Sequence, residues 1–197
     1  MPQASGPTRP GAPPSSVAAA GQAVIECSDW TSGGPVGDLK SVTIYTDGGC
    51  LGNPGPGGYG VVLLHGSRRK ELSGGFRRTT NNRMELMAAI IGLEALKSPC
   101  GVTLHTDSQY LVNAMEQGWA RRWRDNGWRR NKKEAALNPD LWDRLLDLCQ
   151  IHRVSFRWVR GHAGTPENER CDELAQAAAR GENLAIDAVY ESSAHFS

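Results

Sequence analysis

Long apolar runs are missing from this chain. None approaches the ~18 residues that a helix needs to cross a bilayer, so no membrane-spanning role is expected. Paired cysteines are missing too. The five present, Cys27, Cys50, Cys100, Cys149 and Cys171, are odd in number and show neither a CxxC nor a zinc-finger spacing. They read as the reduced thiols of a cytoplasmic protein. Charge of one sign is also scarce: the net charge is +1, so total charge alone does not announce a polyanionic partner. Basic residues are almost absent before Lys40, where Arg9 stands alone, and the apolar stretch from Val17 to Ile25 has no basic flank. Neither a transit peptide nor a secretory signal is expected. No internal repeat is visible.

What remains is 197 residues of ordinary globular composition. That length suits one domain with tails, and a domain of about 150 residues buries roughly two thirds of its unfolded surface. Residues 1–39 are rich in Pro, Gly, Ala and Ser and lack periodic apolar positions. They are expected to be a disordered extension, because such a segment buries too little surface to offset its ordering entropy. The alternative is that Val24, Ile25 and Trp30 dock onto the domain. The domain itself is expected over 40–182, with a tail over 183–197.

Within the domain, residues 41–46 alternate and are β-branched, which predicts a strand. The Gly- and Pro-rich run from Asp47 to Gly58 predicts a loop. Residues 59–65 and 70–76 predict two further strands, and the short connections imply an antiparallel meander. Asn81 or Asn82 can cap a helix that runs to about Lys97 and buries Leu86, Ala89, Ile90, Leu93 and Leu96. A fourth strand over 102–106 ends at Asp107. Helices are predicted around 108–117, 119–127 and 139–149, a fifth strand over 153–159, and a last long helix over 166–180 with Pro166 in its first turn. The pattern is α/β, a sheet with helices on its faces. Ligands in such sheets bind beyond the carboxyl ends of strands, where Asp47 and Asp107 are expected.

Four acids stand out: Asp47, Glu85, Asp107 and Asp172. Each alone has an ordinary structural explanation, as a cap or as a partner of a helix dipole. Their sequence surroundings change that balance. The segments TDGGCLGNPGPGGYG (46–60), TTNNRMELMAA (79–89), TDSQY (106–110) and WVRGHAGTPENERCDELA (158–175) follow one another in order. Together they resemble the four motifs of bacterial type 1 ribonuclease H, and the likeness runs from about residue 41 to 180. The resemblance implies a ribonuclease H-like fold: a five-stranded mixed sheet, three antiparallel strands then parallel strands, flanked by helices. It implies an endonuclease that hydrolyses the RNA strand of RNA–DNA hybrids and leaves 5′-phosphate and 3′-hydroxyl ends. It also implies that Asp47, Glu85, Asp107 and Asp172 bind two Mg²⁺ ions, with Mn²⁺ able to substitute. Two such ions serve both ends of an in-line displacement, and Mg²⁺ prefers oxygen ligands. His162, flanked by glycines in GHAG, is implied to assist catalysis by proton transfer or in product release.

A nuclease that distinguishes RNA from DNA must contact the 2′-hydroxyl. Asn53, Asn81, Asn82 and Gln109 supply uncharged amides near the acids, and the resemblance implies that they line the minor groove of the hybrid. Arg78 and Thr80, completed by Asn138, resemble the family's pocket for a DNA-strand phosphate, while Trp119 and Trp123 are candidates to pack on deoxyriboses. The segment WARRWRDNGWRRNKK (119–133) interleaves cations with tryptophans. It resembles the basic protrusion of bacterial members and assigns Arg121, Arg122, Arg124, Trp128 and Arg129 to substrate binding. Asp125 and Glu134 interrupt its positive charge.

Other functions were weighed. A non-catalytic hybrid-binding module would lack one of the acids, and all four are present. A resolvase or integrase of the same fold would not need the amide set or the basic tryptophan segment. No polymerase portion and no separate N-terminal hybrid-binding domain is visible, so a free-standing, monomeric enzyme is expected.

Overall fold

The structure is a computed structural model and describes residues 39–193. The extension expected over 1–39 therefore lies outside the described residues, Leu39 excepted. The described residues fall within one compact unit. Five strands form one sheet: β1 (Lys40–Cys50), β2 (Gly55–His65), β3 (Arg68–Thr79), β4 (Cys100–Thr106) and β5 (Arg153–Trp158). Their order is β3-β2-β1-β4-β5. The first three are antiparallel neighbours, and β1–β4 and β4–β5 are parallel pairs. The mixed sheet implied by the sequence is the sheet observed.

The helices are α1 (Asn81–Glu94), α2 (Gln109–Glu116), α3 (Trp119–Asp125), α4 (Pro139–Ile151), α5 (Pro166–Ala179) and α6 (Ala188–Ser193). Alternation in the central strands decides which face each side chain serves. Val42, Ile44, Val102 and Leu104 are buried on the face that receives α1, where Gly92 lies against Ile44 and Val61. Tyr45 and Asp47 point to the other face. There α5 lies so close that the Cys171 thiol reaches the Tyr45 carbonyl at 3.2 Å. Gln117-Gly118 separates α2 from α3, with Gly118 in the left-handed region at φ 68°. Among the described residues, no helix is long and apolar enough to cross a membrane.

Three expectations need correction. The glycine-rich run after Thr46 is not a loop. β1 continues to Cys50 and β2 starts at Gly55, with Asp47 opposite Gly60 and Cys50 opposite Gly57. Asp47 thus sits inside a strand, not beyond its end. The glycines are there because helices close on this part of the sheet. The second correction concerns 183–197, expected to be a tail. Its described part packs onto the domain: the backbone of Ala185 bonds to Gly75 and Arg77 at 2.9 Å. Asp187 is buried, and α6 places Glu191 on Arg77 at 2.7 Å. Burial of Asp187 against a cation fixes the segment, a long-range pairing that local composition does not reveal. In addition, Thr80 rather than Asn81 or Asn82 is the residue that precedes the first turn of α1.

The closeness of α5 to β2 yields a test. A Cβ on Gly60 would stand 2.1 Å from the Cys171 carbonyl oxygen, a backbone atom that cannot step aside without moving α5. Gly60→Ala should lower the stability by about 2–3 kcal/mol in urea unfolding, as overpacking does. An unchanged midpoint would show that α5 is not seated as described.

Candidate active site

Asp47, Glu85, Asp107 and Asp172 line one cleft of about 440 Å³, together with Asn81 and His162. Each acid comes from a different element, and backbone geometry brings them together. Residues opposite one another on antiparallel strands project to the same face, so Asp47 shares its face with Gly60. The carbonyl of Cys171 rests over Gly60, which brings its neighbour Asp172 toward Asp47. On the other side, Gly48 meets the backbone of α1. A Cβ there would lie 2.2 Å from the Met84 carbonyl carbon and 2.5 Å from the Glu85 nitrogen. Asp107 follows directly on β4, the parallel neighbour of β1.

Each acid is held by a neighbour. The Gly48 N–H donates to Asp47 Oδ1 at 2.6 Å. The Ser108 hydroxyl donates to Glu85 and also accepts from the Leu111 N–H as the cap of α2. The Trp158 indole N–H donates to the Asp107 carbonyl at 3.0 Å. Gln176, one turn along α5, donates to both oxygens of Asp172 at 2.8 and 2.9 Å. Asn168 is buried and favours the ionised form of the Asp107 carboxyl.

The electrostatics follow from like charges meeting away from water. Burial, then the charges of Asp107 and Asp172, push the Asp47 carboxyl up to about 7, against the lowering effect of Gly48. Burial pushes Glu85 up to about 7 as well, with Asp107 adding to it and the Ser108 hydrogen bond opposing. Asp107 is raised by burial, while Asn168 and His162 favour its ionised form. Among the described residues, no three acid, histidine or cysteine side chains stand close enough to share one ion as they are placed. The donor set nevertheless suits a divalent cation. It is made of hard oxygens, and two of its members hold protons near neutrality that a cation would displace.

His162 stands on the loop before α5, exposed, with its backbone in the left-handed region at φ 51°. Its Nδ1 is 4.0 Å from Asp172 Oδ2. Asn81 lines the cleft, and its Oδ1 accepts the Cys50 N–H at 2.9 Å. Asn53 Oδ1 accepts the Asn81 backbone N–H at 3.3 Å, which ties the β1–β2 turn to the start of α1. Asn82 and Gln109 are exposed on the first turns of α1 and α2. Arg78 and Thr80 sit at the β3–α1 junction, and Asn138 directly precedes α4.

The basic segment divides. Arg121, Arg122 and Arg129 are exposed, and Trp119 and Trp128 are partly so. Trp123 is only 8% exposed and packs among Tyr110, Trp119 and Trp142, so most of its ring is core. Arg124 is paired with Asp143 at 2.8 Å and with Asp147, acids that α4 presents to it, so its charge is already compensated. Trp123 nevertheless lines a surface cleft with Trp119, Arg122 and Arg129, and Arg124 stays partly exposed. The sequence reading missed Ser108, Asn168 and Gln176. Gln176 carried a signal, since it lies four residues from Asp172 on a predicted helix. Ser108 and Asn168 act across tertiary contacts, and their only signal was their place inside the quoted motifs.

A family model described as RNase H matches residues 39–180. The "Ribonuclease H" of Desulforamulus reducens is 69% identical over 150 residues, covering 76% of this chain and 94% of that protein. The "Ribonuclease HI" of Synechocystis is 58% identical over 149 residues, covering 75% and 93%. Among solved structures, LC9-RNase H1, described as a type 1 RNase H with the type 2 active-site motif, is 34% identical with a TM-score of 0.67, covering 82% of this chain and 83% of that one. LC11-RNase H1, solved in complex with RNA/DNA hybrid, is 26% identical with a TM-score of 0.55, covering 70% and 96%.

The raised carboxyls give a pH test with a definite sign. Unfolded carboxyls release their protons near pH 4, whereas folded Asp47 and Glu85 keep theirs to about 7. Between those values the native state binds more protons than the unfolded one, so stability falls as pH rises. In chelator, Asp47→Asn should therefore be more stable than the parent by about 2 kcal/mol at pH 8, with the gap closing toward pH 4. Thermal unfolding against pH measures it. A variant less stable than the parent at pH 8 would mean that Asp47 serves the fold.

Proposed function

The chain belongs to the bacterial type 1 ribonuclease H family and is a nuclease of that family, and from this premise we propose that it cuts the RNA strand of RNA–DNA hybrids with two Mg²⁺ ions. The observation that carries this reading is the convergence of Asp47, Glu85, Asp107 and Asp172 on one cleft. Burial and neighbouring carboxylates push two of these carboxyls up to about 7. The hybrid-bound structure of LC11-RNase H1 supports the substrate. The four acids would hold Mg²⁺, with Mn²⁺ as a substitute. The bound ions would supply an acidified water and neutralise the charge that develops on the leaving oxygen.

The remaining chemistry belongs to the chain. Ser108 and Gln176 orient Glu85 and Asp172 by their hydrogen bonds, and Asn168 favours the ionised form of Asp107. His162, exposed beside Asp172, moves a proton between the cleft and solvent or helps product leave. Asn53, Asn81, Asn82 and Gln109 present amides around the acids to successive 2′-hydroxyls. The Asn53 side chain is preset by the Asn81 backbone N–H, and the Asn81 side chain by the Cys50 N–H. Arg78, Thr80 and Asn138 take a DNA-strand phosphate, and Trp119 faces the sugars. Arg121, Arg122, Arg129 and Trp128 extend the contact beyond the cleft, which explains how a chain of net charge +1 binds a polyanion. We place the enzyme in the cytoplasm as a monomer of one catalytic domain. The reduced thiols Cys50, Cys149 and Cys171 are in keeping with that compartment.

Cleavage of labelled RNA–DNA, RNA–RNA and DNA–DNA duplexes in Mg²⁺ and in chelator tests the proposal. Only the hybrid should be cut, only with the metal, and the products should carry 5′-phosphate and 3′-hydroxyl ends. A single ribonucleotide in DNA should be a poor substrate, because it offers one 2′-hydroxyl to several amides. Equal cutting of RNA–RNA would remove the DNA-strand pocket from the account, and a 2′,3′-cyclic phosphate product would remove the metal-activated water.

A further inference from the structure

The DNA-strand pocket draws on two places in the fold, the β3–α1 junction and the start of α4, and one side chain joins them. Arg83 on α1 is 3% exposed, and all five of its N–H donors have acceptors. Nε donates to Asp187 Oδ2 at 2.6 Å and Nη2 to Asp187 Oδ1 at 2.8 Å. Nη2 also reaches Asp140 Oδ2 at 2.8 Å, and Nη1 reaches Asp140 Oδ1 at 3.0 Å and Asn138 Oδ1 at 3.4 Å. Thr79, between Arg78 and Thr80, donates its hydroxyl to the same Asp187 Oδ2 at 2.8 Å. A single guanidinium and its carboxylate therefore connect the end of β3 to Asn138.

Arg83 is not itself a phosphate ligand. It is buried, it has no donor left, and two carboxylates already compensate its charge. What it does determine is the orientation of its neighbour. A guanidinium has donors and no acceptor, so Asn138 must turn its carbonyl oxygen toward Nη1, and its NH₂ then points away from Arg83. The Asn138 backbone sits in the left-handed region at φ 57° and leads directly into Pro139 at the first turn of α4, so the side chain has a fixed base.

We infer that Arg83, held by Asp187, is a positioning residue that sets the Asn138 amide to donate to a DNA-strand phosphate. The segment after α5, which supplies Asp187, is thereby part of substrate recognition although it lies outside the four motifs. The inference rests on the proposed DNA-strand pocket and assigns its geometry to residues that touch no substrate.

The test uses RNA–DNA hybrids in which one DNA-strand phosphate at a time is replaced by a neutral methylphosphonate. In the parent, one such replacement should raise KM about tenfold, the size of a lost hydrogen bond to a charged group. Asn138→Ala should raise KM on the ordinary hybrid and lose that sensitivity. Arg83→Lys and Asp187→Asn should do the same: KM up by about five- to tenfold, kcat within about twofold, and less than about twofold further loss from the neutral linkage. Asp187→Asn keeps the side-chain shape and an acceptor for Thr79, so it reports even where Arg83→Lys fails to fold. If both variants lose thermal stability but keep the tenfold penalty, Arg83 serves the fold only and the inference is overturned. If the parent ignores every neutral linkage, or Asn138→Ala keeps the penalty, the DNA-strand pocket fails and takes the inference with it.

Discussion

Four carboxylates repel one another, and this fold forces them together. Two backbone contacts do the forcing: Gly48 against the start of α1 and Gly60 against α5. A helix backbone can approach a strand this closely only where no Cβ intervenes. Asp47 therefore meets Glu85 on one side and Asp172 on the other, and the parallel pairing of β1 with β4 adds Asp107. The cost appears as carboxyls that hold protons near neutrality. Divalent-metal chemistry fits such a site because a cation removes the strain that assembly creates.

Charge is organised around the same constraint at longer range. The chain is nearly neutral overall, yet its acids gather in the cleft and exposed arginines gather on and after α3. Arg124 shows that sequence position alone does not make a cation available, since Asp143 and Asp147 compensate it. Arg83 shows the opposite use of charge. Its guanidinium is saturated inside the protein and acts by ordering what surrounds it.

Much of this was legible in the sequence. Strand alternation, helix spacing and four motifs in order indicated the sheet, the four acids and His162. The misreadings share a cause. The glycines from Gly48 to Gly60 look like a loop because composition cannot show that a helix backbone will cover them. The burial of most of the Trp123 ring was hidden because its cluster with Tyr110 and Trp142 draws on three separate segments. The segment from Gly181 onward looks like a tail because Asp187 finds Arg83 more than a hundred residues away. Ser108 and Asn168 were missed for the same reason: each is defined by the acid it touches across the fold.

The raised carboxyls of Asp47 and Glu85 mean that a metal binding among the four acids must displace protons. Calorimetric titration with Mg²⁺ in two buffers of different protonation enthalpy measures this directly. At pH 6.5 the expected result is release of about one proton on binding, falling toward none at pH 8.5, and Asp47→Asn should release fewer. Binding heat that does not depend on the buffer at pH 6.5, or Asp47→Asn matching the parent in affinity and proton release, would contradict the account.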